Sequence, residues 1–506
     1  MKAIFIGNSR EVFWDSFVID PEHTTASWRM HSPQRREPVI CFDRPWEGSH
    51  CYFINMFRDG DRLRMYYHAS GEGAPAGVRI CLAESHDGLR WEKPSLGICA
   101  FQGSRENNIV LDASMIPELP GAISDNLFVF RDSNPDCPEE ERYKGVCGIV
   151  CQKQRYLRCF VSPDGVHFRY GWELYERPMF FDSLNTAHYD PVRKKYFCYF
   201  RGWHRSELTP AGAGTAGQGK DLIRDIRVME SEDFRHWSEP EPLAFGEDSR
   251  DFHLYTNGVE PYYRARHILV GFPARYTDRY AWSANYDRLC GREERRERMK
   301  GCPRFGLTVT DCLFMCSRDG RSWFRPDEAF LRPGPENDWS WRYGDCFLNA
   351  GMFETPSAYP GEAPELSFLS PTKRWTQEAS GNLLVRYGLR VDGFASRWAG
   401  YAPRVLTTKP IVFSGSRLSV NFETSAAGSM LVELTDGNGK PLDGFRSCEL
   451  FGNSIDRTVD FEGDLRTLAG KPVRLRIILS DADVYSFRFS DAEEAACAPC
   501  GNRQGR

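Results

Sequence analysis

A chain of 506 residues, 41% hydrophobic and 13% aromatic, carries more apolar side chains than one core needs and points to two or three domains. Its formal net charge of −5 leaves no basic face for a nucleic acid. No apolar run approaches the ~20 residues that span a bilayer, so neither a nucleic-acid nor a membrane partner is expected.

The N-terminal "MKAIFIGNSREVFW" has an apolar stretch too short for a secretory signal. The 17 cysteines are odd in number and irregular in spacing, and many sit in strand-like runs such as "CYFINMF" and "DCLFMC". There a thiol serves as a small core residue of a reducing compartment, and a cytoplasmic protein is expected. Further along, "RLRMYYHA", "NLFVFRD", "KYFCYFRGW", "RHILVGFPARY" and "RLSVNFET" are short, rich in β-branched and aromatic residues, and separated by turn residues. The run "GREERRERMKGCPR" (Gly291 to Arg304) interleaves Arg with Glu and reads as a solvated helix or loop. The fold class is all-β.

One signature recurs. Ser85-x-Asp87-Gly88-x-x-Trp91 returns as Ser162-x-Asp164-Gly165-x-x-Phe168, Ser231-x-Asp233-Phe234-x-x-Trp237 and Ser317-x-Asp319-Gly320-x-x-Trp323. Each copy follows an apolar run, so each predicts a hairpin whose aromatic residue packs under the neighbouring unit. The spacing leaves room for four antiparallel strands per unit, the size of a propeller blade. Four copies plus a closing unit of "CFLNAGMFETPS", "ELSFLSP" and "NLLVRYGLRVDGFAS" predict five blades over 1–400, with the N-terminal strand near "EVFWDSFVI" completing the ring. Alternating strands and Gly-rich turns over 401–490 predict a β-sandwich, a packing or dimerising module through which the chain could form a homo-oligomer. Residues 491–506, with the lone Cys497-x-x-Cys500, read as a disordered tail.

In a propeller the inner strands of all blades start at one end of the central channel. Ahead of each predicted inner strand lies a polar cluster: Trp46, Glu47 and His50; Asp125 and Asn126; Asp182 and Asn185; Tyr255, Asn257 and Glu260; Arg342 and Asp345. Glu365 precedes a strand of the closing unit. Carboxylates crowded in a cleft shift one another's pKa, as a general acid and a base or nucleophile require. Asn, Tyr, Trp and Arg are suited to hold hydroxyls and stack a sugar ring. His253 and Asp251 have no spaced ligand set with them, so no metal and no cofactor is expected. The Gly-rich Pro210 to Lys220 lacks the phosphate-loop pattern and reads as a loop over the channel.

Through "VFWDSFVID", "RPWEG", "FDSLNTAHYDP", "LTDCLFMCSRDGRSWFRPDEAFLRPG" and "VRLRIILSDADVYSFRF", the chain resembles bacterial proteins related to family 32 glycoside hydrolases. The resemblance implies a propeller followed by a sandwich, action on a glycosidic bond, and carboxylates on the first three blades. The W-M-N-D-P-N-G, R-D-P and E-C motifs of the fructan-cleaving members are absent, so fructose specificity does not carry over. By position, Glu47, Asp125 and Asp182 form the expected catalytic set, with Asp182 as general acid and Glu47 or Asp125 as base or nucleophile. The remaining cluster residues are expected to bind a small carbohydrate substrate. A glycoside phosphorylase using Arg342 and His50, or a non-catalytic sugar-binding propeller, are the competing readings.

Overall fold

The repeated signature folds as a turn held by its own side chains. In the first copy the Gly88 N–H donates to Ser85 Oγ (2.9 Å), while the Leu89 and Arg90 N–H groups donate to Asp87 Oδ1 (2.8 and 2.9 Å). Gly165 to Ser162 and Gly320 to Ser317 repeat the first bond at 2.9 Å, and Asp164, Asp233 and Asp319 each cap two backbone N–H groups. Glycine is required where φ is +75°, +76° and +82°; in the third copy Phe234 takes the same left-handed backbone, at φ +63°.

Each turn then packs on the preceding blade. Trp91 meets Phe353, Tyr66 Oη donates to the Gly165 carbonyl, Trp172 Nε1 donates to the Phe234 carbonyl, and Tyr199 Oη donates to the Gly320 carbonyl. The signature is therefore a joint between blades as well as a turn.

The structure, a computed structural model, describes residues 2–71, 77–119, 123–206, 222–247, 249–338, 340–372 and 382–491; for 123–125 it describes the backbone alone. The Gly-rich Pro210 to Lys220 and the tail with Cys497 and Cys500 lie outside the described residues. All cysteines among the described residues are free thiols. No helix among the described residues is long and apolar enough to cross a membrane.

Five sheets make the ring. Blade I is His50–Asp59, Arg62–Ser70, Arg79–Ser85 and Ile109–Asp112, and blade II is Ile123–Arg131, Tyr143–Cys151, Gln154–Ser162 and Arg169–Tyr175. Blade III is Thr186–Asp190, Lys195–Arg205, Leu222–Ser231 and Glu241–Pro242. Blade IV runs Glu260–Pro261, Leu269–Gly271, Met315–Ser317 and Ser322–Phe324, with Ala244–Phe245 added in parallel at its outer edge. Between its second and third strands it inserts the hairpin Ala274–Asp278 and Thr308–Cys312, which carries the helix Arg292–Gly301. The Arg/Glu-rich run thus forms a helix, of which only Arg295 is buried.

Blade V is Phe353–Thr355, Glu365–Thr372 and Asn382–Arg390, and its fourth strand comes from before blade I. That strand is Gln34–Phe42, paired antiparallel from Asn382↔Phe42 to Gly388↔Gln34. The expected closure near "EVFWDSFVI" is corrected here: Arg10–Val12 pairs instead with Val473–Ser490, and Phe13 stacks on Phe487. The run Val12, Phe13, Trp14 and Val18 is buried, and Phe13 and Val18 join the sandwich core; an outer blade strand would have had to expose part of it.

The chain accordingly packs as two units, Pro33–Pro356 with Glu365–Gly388, and Met1–Ser32 with Ser357–Pro364 and Leu389–Arg506. The division differs from a cut at residue 400 because both ends of the chain contribute strands to the second unit. In that unit Arg417–Asp436 and Val473–Ser490 pair along nearly their whole length, from Arg417↔Ser490 to Asp436↔Val473, with a register break between Thr424 and Ser429. Alternate residues, including Leu418, Val420, Phe422, Leu475, Ile477 and Leu479, supply its core.

Candidate active site

The polar clusters lie at or near the inner-strand starts, and four of the predicted residues make bonds at blade junctions. Asn55 Nδ2 of blade I donates to the Val129 carbonyl of blade II (2.6 Å) and its Oδ1 accepts from the Val129 N–H (3.2 Å). Asn126 Nδ2 reaches the Phe181 carbonyl ahead of blade III at 3.4 Å, and Asn185 Nδ2 reaches the same carbonyl at 3.1 Å. Thr186 Oγ1 donates to Asn257 Oδ1 (2.8 Å), whose Nδ2 donates to the carbonyls of Leu184 and Tyr199, both at 3.2 Å. Glu260 Oε1 of blade IV accepts from the Gly351 N–H of the blade V lead-in at 3.0 Å, and burial pushes its carboxyl up to about 8. Buried backbone groups at blade junctions need partners, and these side chains supply them. Asn126, Asn185, Asn257 and Glu260 are thus placed as staples, not as an assembled sugar site.

Glu47 is also withdrawn from the mouth. It is 0% exposed; its Oε1 accepts from Tyr67 Oη (2.6 Å), and its Oε2 accepts from Lys93 Nζ (2.9 Å) and the Arg44 N–H (2.8 Å). Three of the roughly four acceptor directions of its carboxylate are taken. Trp46 donates to Asn108 Oδ1 (2.7 Å) and lies edge-on to Phe101, and His50 pairs with Ser70 at the start of blade I. Glu365 is held by Arg36 and by Arg386 Nη1 (3.0 Å). Arg342 is tied to Glu294 at 2.6 Å, and its N–H donates to Asp345 Oδ2 at 2.8 Å. Burial pushes Asp345 up to about 7 against the pull of Arg342. Asp125 falls at the bulge between the Asn126↔Gly148 and Ser124↔Ile149 pairs, and its side chain lies outside the described residues.

Two predicted residues, Asp182 and Tyr255, do come together, in company the sequence did not single out. Arg201 and Trp203 alternate along the second strand of blade III, and Trp203 lies directly opposite Arg224 on the third. A period of two puts all three on one face of the blade. Arg201 forms an ion pair with Asp182. Its guanidinium lies 5.3 Å from the Trp203 ring and 5.4 Å from the Tyr255 ring. Arg224 lies 4.7, 5.7 and 4.3 Å from the rings of Trp203, Tyr255 and Tyr276. Arg304, from the segment after the helix, approaches the Tyr276 ring at 5.9 Å, and its Nη1 donates to Tyr276 Oη at 3.2 Å. Tyr343 packs edge-on to both Tyr255 and Tyr276.

Burial sets the protonation of this group. His253 Nδ1 accepts from the Arg224 N–H at 3.0 Å, and burial followed by the Arg224 charge lowers its pKa to about 3, which keeps the ring neutral with its proton on Nε2. Burial raises Asp278 from its ordinary value, opposed by the Tyr280 N–H, Arg304 and Arg224. His204 bridges Asp225 (3.2 Å) and Asp251 (2.9 Å) and is raised to about 9 by those two bonds. A recess of about 610 Å³ is bounded by His253, Tyr276 and Asp278 along with Arg275 and Asp251. The His253 and Asp251 pair is therefore built into hydrogen bonds with Arg224 and His204, respectively. The missed residues share one legible signal, charged side chains (Arg201, Arg224) alternating into strands whose neighbours are buried.

No family model matches the chain, and no curated protein matches it. Among solved structures, an N-acetylgalactosamine deacetylase from F. plautii in complex with blood group B trisaccharide is similar at 12% identity and TM-score 0.43, over 71% of this chain and 94% of that one. A fructofuranosidase variant from Schwanniomyces occidentalis complexed with fructosylnystose is similar at 10% identity and TM-score 0.36, over 93% and 98% of the two chains. A thermostable family-43 glycoside hydrolase is similar at 11% identity and TM-score 0.39, over 72% and 95%. Family 32 membership, expected from the sequence, has no family match behind it.

Proposed function

We propose that the protein is a glycoside hydrolase that removes a terminal sugar at the aromatic group of Trp203, Tyr255 and Tyr276, with Asp182 paired to Arg201 on one side and Asp278 in the recess that Tyr276 also lines on the other. The observation that carries this reading is two carboxylates in unlike settings, each next to a member of the aromatic group: Asp182 on Arg201, and Asp278 two residues from Tyr276 on one strand. Asp182 is charge-paired to Arg201, whereas Asp278 is pushed toward its protonated form by burial. A carboxyl that burial favours in its protonated form can serve as an acid, and a carboxylate held by a cation as its partner. Asp278 then protonates the leaving oxygen, and Asp182 is the base or nucleophile. This reverses the sequence-based assignment of Asp182 and replaces Glu47, whose carboxylate is closed off by Lys93 and Tyr67.

The aromatic faces of Trp203 and Tyr255 are suited to stack a sugar ring. Tyr255 and Tyr343 belong to one buried cluster with Tyr52, Phe53, Phe181 and Phe347, which backs the aromatic group. A chain end fits beside such a packed wall more readily than a chain interior, hence the terminal sugar. Turnover of a panel of chromogenic glycosides by the wild type, Asp182→Asn and Asp278→Asn tests the reading.

A further inference from the structure

Arg224 is 3% exposed and has no carboxylate within ion-pair distance among the described residues. Its Nε has no hydrogen-bond partner, and neither does the Nε of Arg201 nor the Nε1 of Trp203 beside it. Arg201 is itself 4% exposed, and its one ion pair is with Asp182. Two buried guanidinium groups therefore share the rings of Trp203 and Tyr255, with Arg304 on Tyr276 as a third cation. Among the described residues, Asp182 is the one carboxylate paired with any of them.

Burying a guanidinium without a counter-charge is unfavourable, and aromatic faces return only part of the lost hydration. The orphan groups are also all donors. A neutral sugar hydroxyl both donates and accepts, whereas a carboxylate or phosphate only accepts and matches the planar fork of arginine.

We infer that Arg224 and Arg201, with Trp203 Nε1, form an oxyanion subsite that takes a carboxylate or phosphate group as part of the bound substrate. The inference rests on reading this aromatic group as the sugar site and adds its class: an acidic sugar, or a neutral one bound together with free phosphate.

The test is titration calorimetry on the full chain with glucuronate, galacturonate, inorganic phosphate and glucose, at low and high salt. At least one anion is expected to bind tenfold or more tightly than glucose, and to weaken as salt rises. Tighter uronate binding assigns the oxyanion to the sugar, and tighter phosphate binding assigns it to free phosphate. Arg224→Gln is expected to abolish the preference. Arg224→Lys, which keeps the charge and loses the fork, keeps the fold measurable by circular dichroism and weakens the anion severalfold. Equal affinity for glucose and all three anions, or Arg224→Lys and Arg224→Gln that both bind as the wild type, overturns the subsite. Binding is read separately from turnover: anion binding without cleavage of any glycoside leaves the subsite standing and removes the hydrolase reading, and cleavage with no anion preference does the reverse.

Discussion

Lys93 and Glu47 form an ion pair 2.9 Å long with side chains 8% and 0% exposed, between the last strand of blade V and the first of blade I. Lys93 Nζ also donates to the Cys41 carbonyl at 2.7 Å, so one ammonium holds the crossing from Gln34–Phe42 into blade I. Removing one partner of a buried pair leaves the other charge uncompensated. Lys93→Met is expected to cost about 3–5 kcal/mol by denaturant unfolding. A Glu47→Gln variant that loses stability but still turns over its substrate agrees with a structural Glu47; loss of turnover at unchanged stability returns it to the active site.

Glu260 gives a pH signature. Its carboxyl is raised from 4.5 to about 8 by burial, so between those values the folded protein holds a proton that the unfolded chain has released. The stability this group contributes is full below pH 4.5 and falls as pH rises through 8. Glu260→Gln keeps an acceptor for the Gly351 N–H and has no proton to lose. Its stability relative to wild type is expected to improve from pH 5 to pH 9, measured by urea unfolding across that range.

His204 behaves in the same sense for the opposite reason. Its hydrogen bonds to Asp225 and Asp251 raise it from 6.5 to about 9. Its stabilising contribution is present below pH 6.5 and is lost as pH rises through 9. His204→Gln is expected to be less stable than wild type at pH 6 and equal to it at pH 10, and the His204 ring resonance in NMR should titrate well above 7.

Phe234 occupies the turn position that glycine fills in the other copies, at φ +63°. Relieving a left-handed residue returns roughly 1–2 kcal/mol. Phe234 is 0% exposed and packs on Phe130, Tyr196, Trp172 and Trp237, and emptying such a site costs about 3–5 kcal/mol. The packing term is larger, so Phe234→Gly is expected to lower the thermal midpoint. A rise would mean that backbone strain dominates there.

The blades were legible because a tight turn with left-handed φ has few sequence solutions, and the Ser-x-Asp-Gly turn repeats one of them. It fixed the phase of four blades and the start of each inner strand. Ring closure was less legible: the stretch near "EVFWDSFVI" read as the closing strand, and only tertiary packing gives that place to Gln34–Phe42. The site was the least legible part. Asn126, Asn185 and Asn257 do lie at the inner-strand starts, yet an Asn that bonds a neighbouring backbone looks the same in sequence as one that bonds a sugar. Arg201, Arg224 and Asp278 carry no repeated pattern and come from the second and third strands of blade III and from a hairpin inserted in blade IV. Their convergence depends on long-range packing that spacing does not encode.

The most direct test of the central claim is the initial rate of Asp182→Asn and Asp278→Asn against the wild type on whichever chromogenic glycoside the wild type cleaves, acidic sugars included. Loss of a positioned acid or base typically costs about 10²–10⁴-fold. Both variants are expected to fall by at least that lower bound while remaining folded by circular dichroism at the assay temperature, Asp182→Asn with a lowered thermal midpoint because Arg201 loses its counter-charge, and Asp278→Asn recovering more on substrates whose leaving group needs no proton. Full turnover by both variants would contradict the account.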